Sequence, residues 1–287
     1  MMITAINPIQ TFSKNFDDYN NQEDSNGTNS NFLTKTNTIS PVTYKNPQQN
    51  YESPQMMESE IQNQTDESQS MDVEKQPEEQ MMTPFEFFMS LPKNVPDPGH
   101  THLPPKLRNT PKRTLVLDID ETLVHSDIEP TPNSKTMVSF MSHGRLCNVY
   151  VSYRPFLVEF LQIVSQKFEV VAFTASQKYY ADQVLKSIDP QRKLIKHRLY
   201  RESCYEIKGN YIKDLRVLGR DLKDVIIVDN SILSFAFQLD NGIPILSWFN
   251  DPNDRELCNL VTLLDEINKA SDIRPALKAR YNLSRFS

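Results

Sequence analysis

Cysteine is scarce in this chain, and the few cysteines present lie far apart. The 287 residues include three, Cys147, Cys204 and Cys258, and none of them forms a C-x-x-C pair. This spacing argues against a cysteine-based zinc site and against a disulfide framework. We therefore expect reduced thiols in an intracellular protein.

Long apolar runs are missing as well. No stretch approaches the roughly 18 apolar residues that a transmembrane helix needs. The first 30 residues are rich in Asn, Asp and Gln and have no apolar core of the kind found in a secretory signal peptide. We expect a soluble protein, nuclear or cytoplasmic, with no membrane span, and we expect it to be a monomer.

Basic blocks are absent too, although the charge is unevenly distributed. The net charge of the whole chain is −6. Residues 1–110 hold 15 acidic and 7 basic residues, a net of −8, whereas residues 111–287 hold 22 acidic and 24 basic residues, a net of +2. The second part is compatible with a phosphate-bearing substrate. Without basic runs, direct binding to nucleic acid is not expected.

The composition predicts two regions. Asn and Gln supply 23 of the first 110 residues, and apolar residues are sparse there. Such a segment cannot bury enough apolar surface to offset the entropy of ordering. The prediction is a disordered, acidic tail over residues 1–105 and a folded domain over 106–287. Within the tail, "MMTPFEFFMSLP" (Met81 to Pro92) is apolar enough to dock on the domain or on a partner, or to be a fraying apolar patch.

Alternating strands and helices follow from Arg113 onwards. "TLVLDID", "FEVVAFTAS", "DVIIVDNS" and "IPILSW" are short apolar runs typical of buried strands. "RPFLVEFLQIVSQK", "KYYADQVLKSID" and "DRELCNLVTLLDEINKA" have helical periodicity, and "TMVSFM" and "LCNVYVSY" flank a turn at His143-Gly144-Arg145. This order predicts an α/β fold, a Rossmann-like parallel sheet with helices on both faces and a small β-hairpin insertion.

Three of these apolar runs stop at polar clusters. The first ends in Asp118 and Asp120, the second in Thr174, and the third in Asp229 and Asn230. In an open α/β sheet, ligands bind beyond the carboxyl ends of the strands, so these clusters should meet in one crevice. Three aspartates in one small site would repel each other unless a cation neutralised them, and hard oxygen ligands favour Mg²⁺.

These residue types point to phosphoryl transfer. A substrate phosphate commonly completes the ligand shell of Mg²⁺. Thr174 offers a hydroxyl and Lys213 a compact positive charge for a phosphoryl group. One aspartate can act as a nucleophile and a second as an acid and then a base.

The motifs "DIDET", "FTAS", Lys213 and "VDNS" resemble the four motifs of the haloacid-dehalogenase superfamily. More closely, they resemble the FCP/SCP phosphatases, which act on phosphorylated protein tails, and the resemblance covers roughly Pro111 to Arg280. "SIDPQRKLIKHRLYRE" and "DIRPALKARYNL" are most similar to a CTD small phosphatase-like branch of that family. The resemblance implies a haloacid-dehalogenase-like fold and a Mg²⁺-dependent protein serine/threonine phosphatase.

The resemblance also implies roles for individual residues. Asp118 matches the nucleophile that forms a phospho-aspartate, and Asp120 matches the acid/base. The metal shell would comprise Asp118, the backbone carbonyl of Asp120 and Asn230, with Asp229 ligating or supporting it.

Thr174 and Lys213 match the pair that binds the transferred phosphoryl group, and Arg201 lies near the family's substrate-side arginine. The region from Ser126 to Tyr153 occupies the place of the family's small β insertion, which helps form a groove for the substrate peptide.

The expected substrate is a phosphoserine or phosphothreonine protein, with the C-terminal tail of RNA polymerase II suggested by the resemblance alone. Two alternatives remain open: a non-catalytic phosphatase-like binding module, and a small-molecule phosphatase. The filled catalytic positions argue against the first alternative, and the lack of a large cap insertion argues against the second.

Overall fold

The structure, a computed structural model, describes residues 83–286. Residues 1–82 of the tail predicted over residues 1–105 therefore lie outside the described residues. The strands in the described range are β1 (Thr114–Leu117), β2 (Val124–Asp127), β3 (Ser134–Ser142), β4 (Arg145–Tyr153), β5 (Glu169–Phe173), β6 (His197–Leu199), β7 (Tyr205–Ile207), β8 (Asn210–Ile212), β9 (Val225–Asp229) and β10 (Gly242–Pro244). The α-helices in that range are α1 (Pro84–Ser90), α2 (Leu157–Lys167), α3 (Lys178–Ile188), α4 (Glu256–Ile267) and α5 (Arg274–Tyr281).

A five-stranded parallel sheet forms the centre of the fold. Its strand order is β10-β9-β1-β5-β6, and each neighbouring pair is parallel. Every residue of β1, β5 and β9 is buried, as their unbroken apolar sequences predicted. The predicted fold class, a parallel sheet with flanking helices, is confirmed.

The edges of the sheet differ from the sequence prediction. The edge strand β6 was not predicted, because it has three residues, two of them His and Arg, and no apolar run. At the opposite edge, "IPILSW" was expected to be the strand, but β10 covers Gly242–Pro244 and ends at the proline. Short edge strands give weak sequence signals because their outer faces contact water.

A three-stranded antiparallel sheet is inserted between β1 and α2. Its order is β2-β4-β3, and β3 and β4 form the predicted hairpin. Both His143 (φ 48°) and Gly144 (φ 77°) adopt left-handed backbone conformations, as a two-residue hairpin turn requires.

Different layers cover the two faces of the central sheet. Helices α2 to α5 contribute to one buried cluster, which includes Leu115 and Leu117 of β1. The opposite cluster contains Val116 and is formed by α1 and by 3₁₀ segments at Leu215–Leu218 and Ile232–Asn241. The second layer is therefore built mainly from single helical turns.

Helix α1 corrects the predicted domain boundary. The described residues begin at Thr83, whose side chain accepts a hydrogen bond from the Glu86 amide in a capping box. Phe87 and Phe88 are 1% and 6% exposed, and Leu103 is 7% exposed in the same cluster. The prediction that residues 83–105 belong to a disordered tail is therefore wrong. It was based on the average composition of the first 110 residues, which is polar, whereas the burial of Phe87 and Phe88 depends on two aromatic residues within that stretch.

Candidate active site

The ends of three neighbouring strands form one crevice. Asp118 follows β1, Thr174 follows β5, and Asp229 ends β9, and β1 lies between β5 and β9 in the sheet. The Asp118 amide donates a hydrogen bond to the Val228 carbonyl (3.0 Å), so the pairing of β1 and β9 continues into the site. The polar clusters thus lie together at the carboxyl ends of the strands, as parallel topology requires.

Lys213 connects two of these carboxylates. Its Nζ lies 2.5 Å from Asp118 Oδ1 and 2.5 Å from Asp229 Oδ2. Lys213 comes directly after β8, and its own amide donates to the Ser234 carbonyl. The structure therefore brings together three residues that are separate in sequence and that were all predicted to belong to the site.

The charges in this buried group do not cancel. Burial alone would lower the pKa of the Lys213 ammonium, but the charges of Asp118 and Asp229 raise it. Burial raises the pKa of the Asp229 carboxyl, and Lys213 opposes that rise. Two carboxylates share one ammonium, so the group favours a further positive charge.

Asp120 is held separately, by hydroxyl groups. The Tyr180 hydroxyl donates to Asp120 Oδ1 (2.6 Å), and the Ser176 hydroxyl donates to Oδ2 (2.7 Å). Burial and the neighbouring charge of Glu121 raise the pKa of Asp120 to about 7, although the hydrogen bonds from Tyr180 and Ser176 oppose the rise. A carboxyl group that titrates near neutral pH is suited to both giving and taking a proton.

Oxygen atoms near Asp118 could hold a cation. The Thr122 hydroxyl lies 2.9 Å from Asp118 Oδ2 and 3.4 Å from Asn230 Oδ1, so both oxygens approach one point. The Asn230 amide nitrogen donates to Ser247 Oγ, which fixes the orientation of that side chain. Within residues 83–286, no three His, Cys, Asp or Glu side chains gather as a metal site. A hard cation would thus need the Asn230 oxygen and a backbone carbonyl, and this donor set fits Mg²⁺.

Thr174 has a structural role in addition to its position beside the site. Its Oγ1 accepts a hydrogen bond from the Ser176 amide (2.9 Å) and lies 3.5 Å from Asp120 Oδ2. The side chain is 1% exposed. The hydroxyl therefore shapes the turn after β5 and faces the second aspartate.

Arg201 lies at the margin of the crevice. Its Nε donates to the Ala175 carbonyl (2.6 Å), and its guanidinium lies 4.6 Å from the centre of the Tyr211 ring. These contacts support the segment after β5, and the predicted contact of Arg201 with substrate stays a prediction.

Three residues at the site had no predicted role: Thr122, Ser176 and Tyr180. Ser176 and Tyr180 lie in and just after "FTAS", where α3 begins, so their position beyond a strand end was a usable signal. Thr122 follows Asp118 by four residues. These sequence positions do not show where each hydroxyl points, because that direction depends on the path of the backbone through the turn.

The inserted hairpin lies beside α3. The Phe140 ring of β3 lies 5.5 Å from the Tyr179 ring and 5.6 Å from the Tyr180 ring. Met137, Met141 and Leu146 on the hairpin are more than half exposed. Met137 and Met141 alternate with Phe140 along β3, so they and Leu146, which pairs with Met141, lie on the face of the hairpin turned away from α3.

Residues 113–274 match the family described as NLI interacting factor-like phosphatase. CTD small phosphatase-like protein 2 of Dictyostelium discoideum is 49% identical over 200 residues, which cover 70% of this chain and 35% of that protein.

Two further relatives are similar at the same level. A probable C-terminal domain small phosphatase of Dictyostelium discoideum is 51% identical over 175 residues, 61% of this chain and 57% of that protein. Phosphatase PSR1 of Saccharomyces cerevisiae is 46% identical over 173 residues, 60% of this chain and 40% of that protein. The chain thus spans less than two thirds of the length of each of these relatives.

Among solved structures, the fission yeast RNA polymerase II CTD phosphatase Fcp1 matches with a TM-score of 0.42. The two sequences are 19% identical, and the match covers 60% of this chain and 63% of the other. In residues 83–286, no helix has the length and apolar character needed to cross a bilayer.

Proposed function

The chain belongs to the NLI interacting factor-like phosphatase family, and we propose that it is a Mg²⁺-dependent protein serine/threonine phosphatase with an aspartyl-phosphate intermediate. The contact of Lys213 with both Asp118 and Asp229 carries this proposal. In this arrangement Asp118 supplies a carboxylate nucleophile, and the buried Lys213 supplies a fixed positive charge beside it. Asp120, beside them but bonded to hydroxyls, supplies the proton-transfer group.

The first half of the reaction uses both aspartates of the β1 end. A carboxylate oxygen of Asp118 bonds to phosphorus while the bond from phosphorus to the serine or threonine oxygen breaks. Protonated Asp120 gives its proton to that departing oxygen, which leaves as the alcohol. A pKa of about 7 keeps a large fraction of Asp120 protonated at neutral pH.

The second half reverses the proton transfer. Asp120, now a carboxylate, takes a proton from a water molecule whose oxygen attacks the phosphorus of the phospho-aspartate. The bond between Asp118 and phosphorus breaks, which returns the Asp118 carboxylate and releases inorganic phosphate. Lys213 and the Thr174 hydroxyl stabilise the phosphoryl oxygens during both halves.

Mg²⁺, when bound, would supply positive charge that offsets the negative charge of the phosphoryl oxygens and the adjacent carboxylates. The residues that would hold it are Asp118, Asn230 and the backbone carbonyl of Asp120, with Asp229 in support. The contacts of Asp118 and Asn230 with the same Thr122 hydroxyl support this assignment.

We propose phosphoserine or phosphothreonine in an extended peptide as the substrate. The aromatic rings of Phe140 and Tyr179, which lie where the hairpin meets α3, suit apolar side chains flanking such a residue. One relative is named a probable C-terminal domain small phosphatase. The resemblance to FCP/SCP phosphatases suggests a phosphorylated RNA polymerase II tail peptide as the first substrate to test.

The nucleophile is tested with Asp118→Asn in the full chain. We expect hydrolysis of a phosphoserine peptide to fall by at least about 10⁴-fold, because an amide cannot form the phospho-aspartate. Asp265→Asn is the control, because Asp265 is a half-exposed carboxylate on α4. Full activity in Asp118→Asn would reject the mechanism, provided that both variants melt as cooperatively as the wild type.

Metal dependence and proton transfer are tested separately. A chelator should abolish activity, and added Mg²⁺ should restore it.

Asp120→Asn should slow phosphoserine hydrolysis by about 10²–10⁴-fold, and hydrolysis of an aryl phosphate with a more acidic leaving group should be slowed less. Equal slowing of both substrates would count against Asp120 as the proton donor.

The same assays separate the alternatives. Phosphopeptide binding without any Mg²⁺-dependent hydrolysis would indicate a non-catalytic binding module. Faster turnover of sugar phosphates than of phosphopeptides would indicate a small-molecule phosphatase.

A further inference from the structure

A second polar cleft, of about 330 Å³, lies between α3 and the edge strand β6. Four basic side chains line it: Lys178, Arg192, Lys196 and Arg198. Asp182 is the one acidic residue among those that line the cleft. This concentration of positive charge stands out in a chain whose net charge is −6.

The Asp182 carboxylate is already paired with two side chains of the cleft wall. Its Oδ1 accepts hydrogen bonds from Arg198 Nη1 (2.9 Å) and from the Tyr200 hydroxyl (2.9 Å). The charge of Arg198 lowers the pKa of Asp182, as does the Tyr200 hydrogen bond, although burial alone would raise it. This acid therefore neutralises one arginine and leaves the other cations of the cleft largely uncompensated.

The remaining cations face outward with little pairing. Arg192 Nη2 is 3.4 Å from Asp182, and its side chain is 66% exposed. Lys178 lies 5.6 Å from the centre of the Tyr200 ring, and Lys196 is exposed. Arg198, the arginine paired with Asp182, has a side chain that is 6% exposed, and its Nε has no hydrogen-bond partner in the described part of the chain. An anion in the cleft would therefore meet several basic groups whose charge is not balanced.

The cleft adjoins the candidate active site. Lys178 begins α3, two residues before Tyr180, whose hydroxyl contacts Asp120. Tyr200 precedes Arg201, whose amide donates to the Ser176 carbonyl. One end of the cleft is thus formed by the same two segments that border the crevice.

We propose that this cleft binds a second, non-reacting phosphate group on the substrate chain. The inference rests on the proposed phosphatase activity, and it assigns multiply phosphorylated peptides as the preferred substrate class. Dianionic phosphate matches a concave site with basic groups on several sides. The shared border with the crevice allows one extended peptide to occupy both sites.

The test compares peptides of one sequence with one or two phosphoserines. A panel places the second phosphoserine about two to eight residues from the first on either side, a reach of roughly 7–26 Å. The measured quantity is the ratio of kcat/KM for the doubly phosphorylated peptide to that for the singly phosphorylated peptide. We expect a ratio of about ten at the best spacing for the wild-type full chain.

The matched variants carry two charge reversals each. Arg192→Glu with Lys196→Glu changes the cleft, and Lys186→Glu with Lys193→Glu changes two exposed lysines outside it. The first pair should bring the ratio close to one, and the second should keep it near ten. A wild-type ratio of one at every spacing, or an equal loss in both pairs, would overturn the inference.

Binding separates this inference from the proposed function. Fluorescence anisotropy with the same peptides needs no turnover, so a cleft-dependent preference without hydrolysis would reject the enzyme and keep the second phosphate site. Hydrolysis without any preference for the doubly phosphorylated peptide would support the enzyme and reject the second phosphate site. If vesicles containing a phosphoinositide bind through Arg192 and Lys196 while the peptides show no preference, the cleft binds lipid headgroups and the inference fails.

Discussion

Replacing Phe87 by alanine tests whether residues 83–105 are part of the fold. Phe87 is 1% exposed and packs in the cluster under the second face of the sheet, with Val116 and Phe173. A buried Phe→Ala change costs about 3–5 kcal/mol, because it removes apolar contacts and leaves a cavity. Domains unfold with free energies of about 5–15 kcal/mol, so this is a large fraction of the total.

The control lies two residues away on the same helix. Met89 is 71% exposed, so Met89→Ala should change the free energy of unfolding by less than about 0.5 kcal/mol. Both changes leave the Thr83–Glu86 capping box intact. The comparison therefore isolates burial from helix propensity.

Urea unfolding followed by tryptophan fluorescence measures the effect. Trp248 is the single tryptophan of the chain and is 3% exposed, so its emission reports on the folded domain. Phe87→Ala should lower the unfolding midpoint and, by heat, lower Tm by roughly 6–20 °C. If Phe87→Ala and Met89→Ala were indistinguishable, helix α1 would not be a structural part of the domain.

Two further changes test the site and the core. Tyr180→Phe removes the hydroxyl that donates to Asp120, and we expect kcat/KM for a phosphoserine peptide to fall about tenfold. An aryl phosphate should be affected less, and equal effects would argue against a positioning role. Glu169 is buried, which would raise its pKa, but hydrogen bonds from Arg220, His197 and Thr114 lower it below its ordinary value of 4.5. Because the folded pKa is the lower one, Glu169 stabilises the fold above about pH 4.5, and stability falls as the pH drops below that value. Urea unfolding from pH 7 to pH 3 should show this loss in the wild type and a smaller slope in Glu169→Gln; equal slopes would contradict the assignment.

The sequence predicted that the polar strand ends lie together because their position depends on topology. Apolar runs ending at Asp118, Thr174 and Asp229 had to meet if the strands were parallel neighbours, and β1, β5 and β9 are. The resemblance to FCP/SCP phosphatases is confirmed by the family match, which covers residues 113–274.

The contacts within the site depend on side-chain direction, which periodicity does not encode. The sequence predicted helix α3, and the structure shows that Ala181, Val184 and Leu185 lie on its buried face. Tyr180 adjoins that face, and its hydroxyl reaches Asp120 only because the turn after β5 places the first turn of α3 over the crevice. Predicting such a contact requires the path of the backbone as well as the sequence.

The burial of the acidic groups also bears on stability. Asp118, Asp229 and Lys213 are 6%, 0% and 1% exposed, and a buried group with two carboxylates for one ammonium retains excess negative charge. Removing charge at Asp118 would leave Lys213 and Asp229 as a balanced pair, which is less costly to bury than the triad. Asp118→Asn should therefore melt at or above the wild-type temperature in metal-free buffer while it loses hydrolysis, since functional sites are often kept at the expense of stability. A clearly lower melting temperature would instead show that Asp118 stabilises the fold through its contact with Lys213.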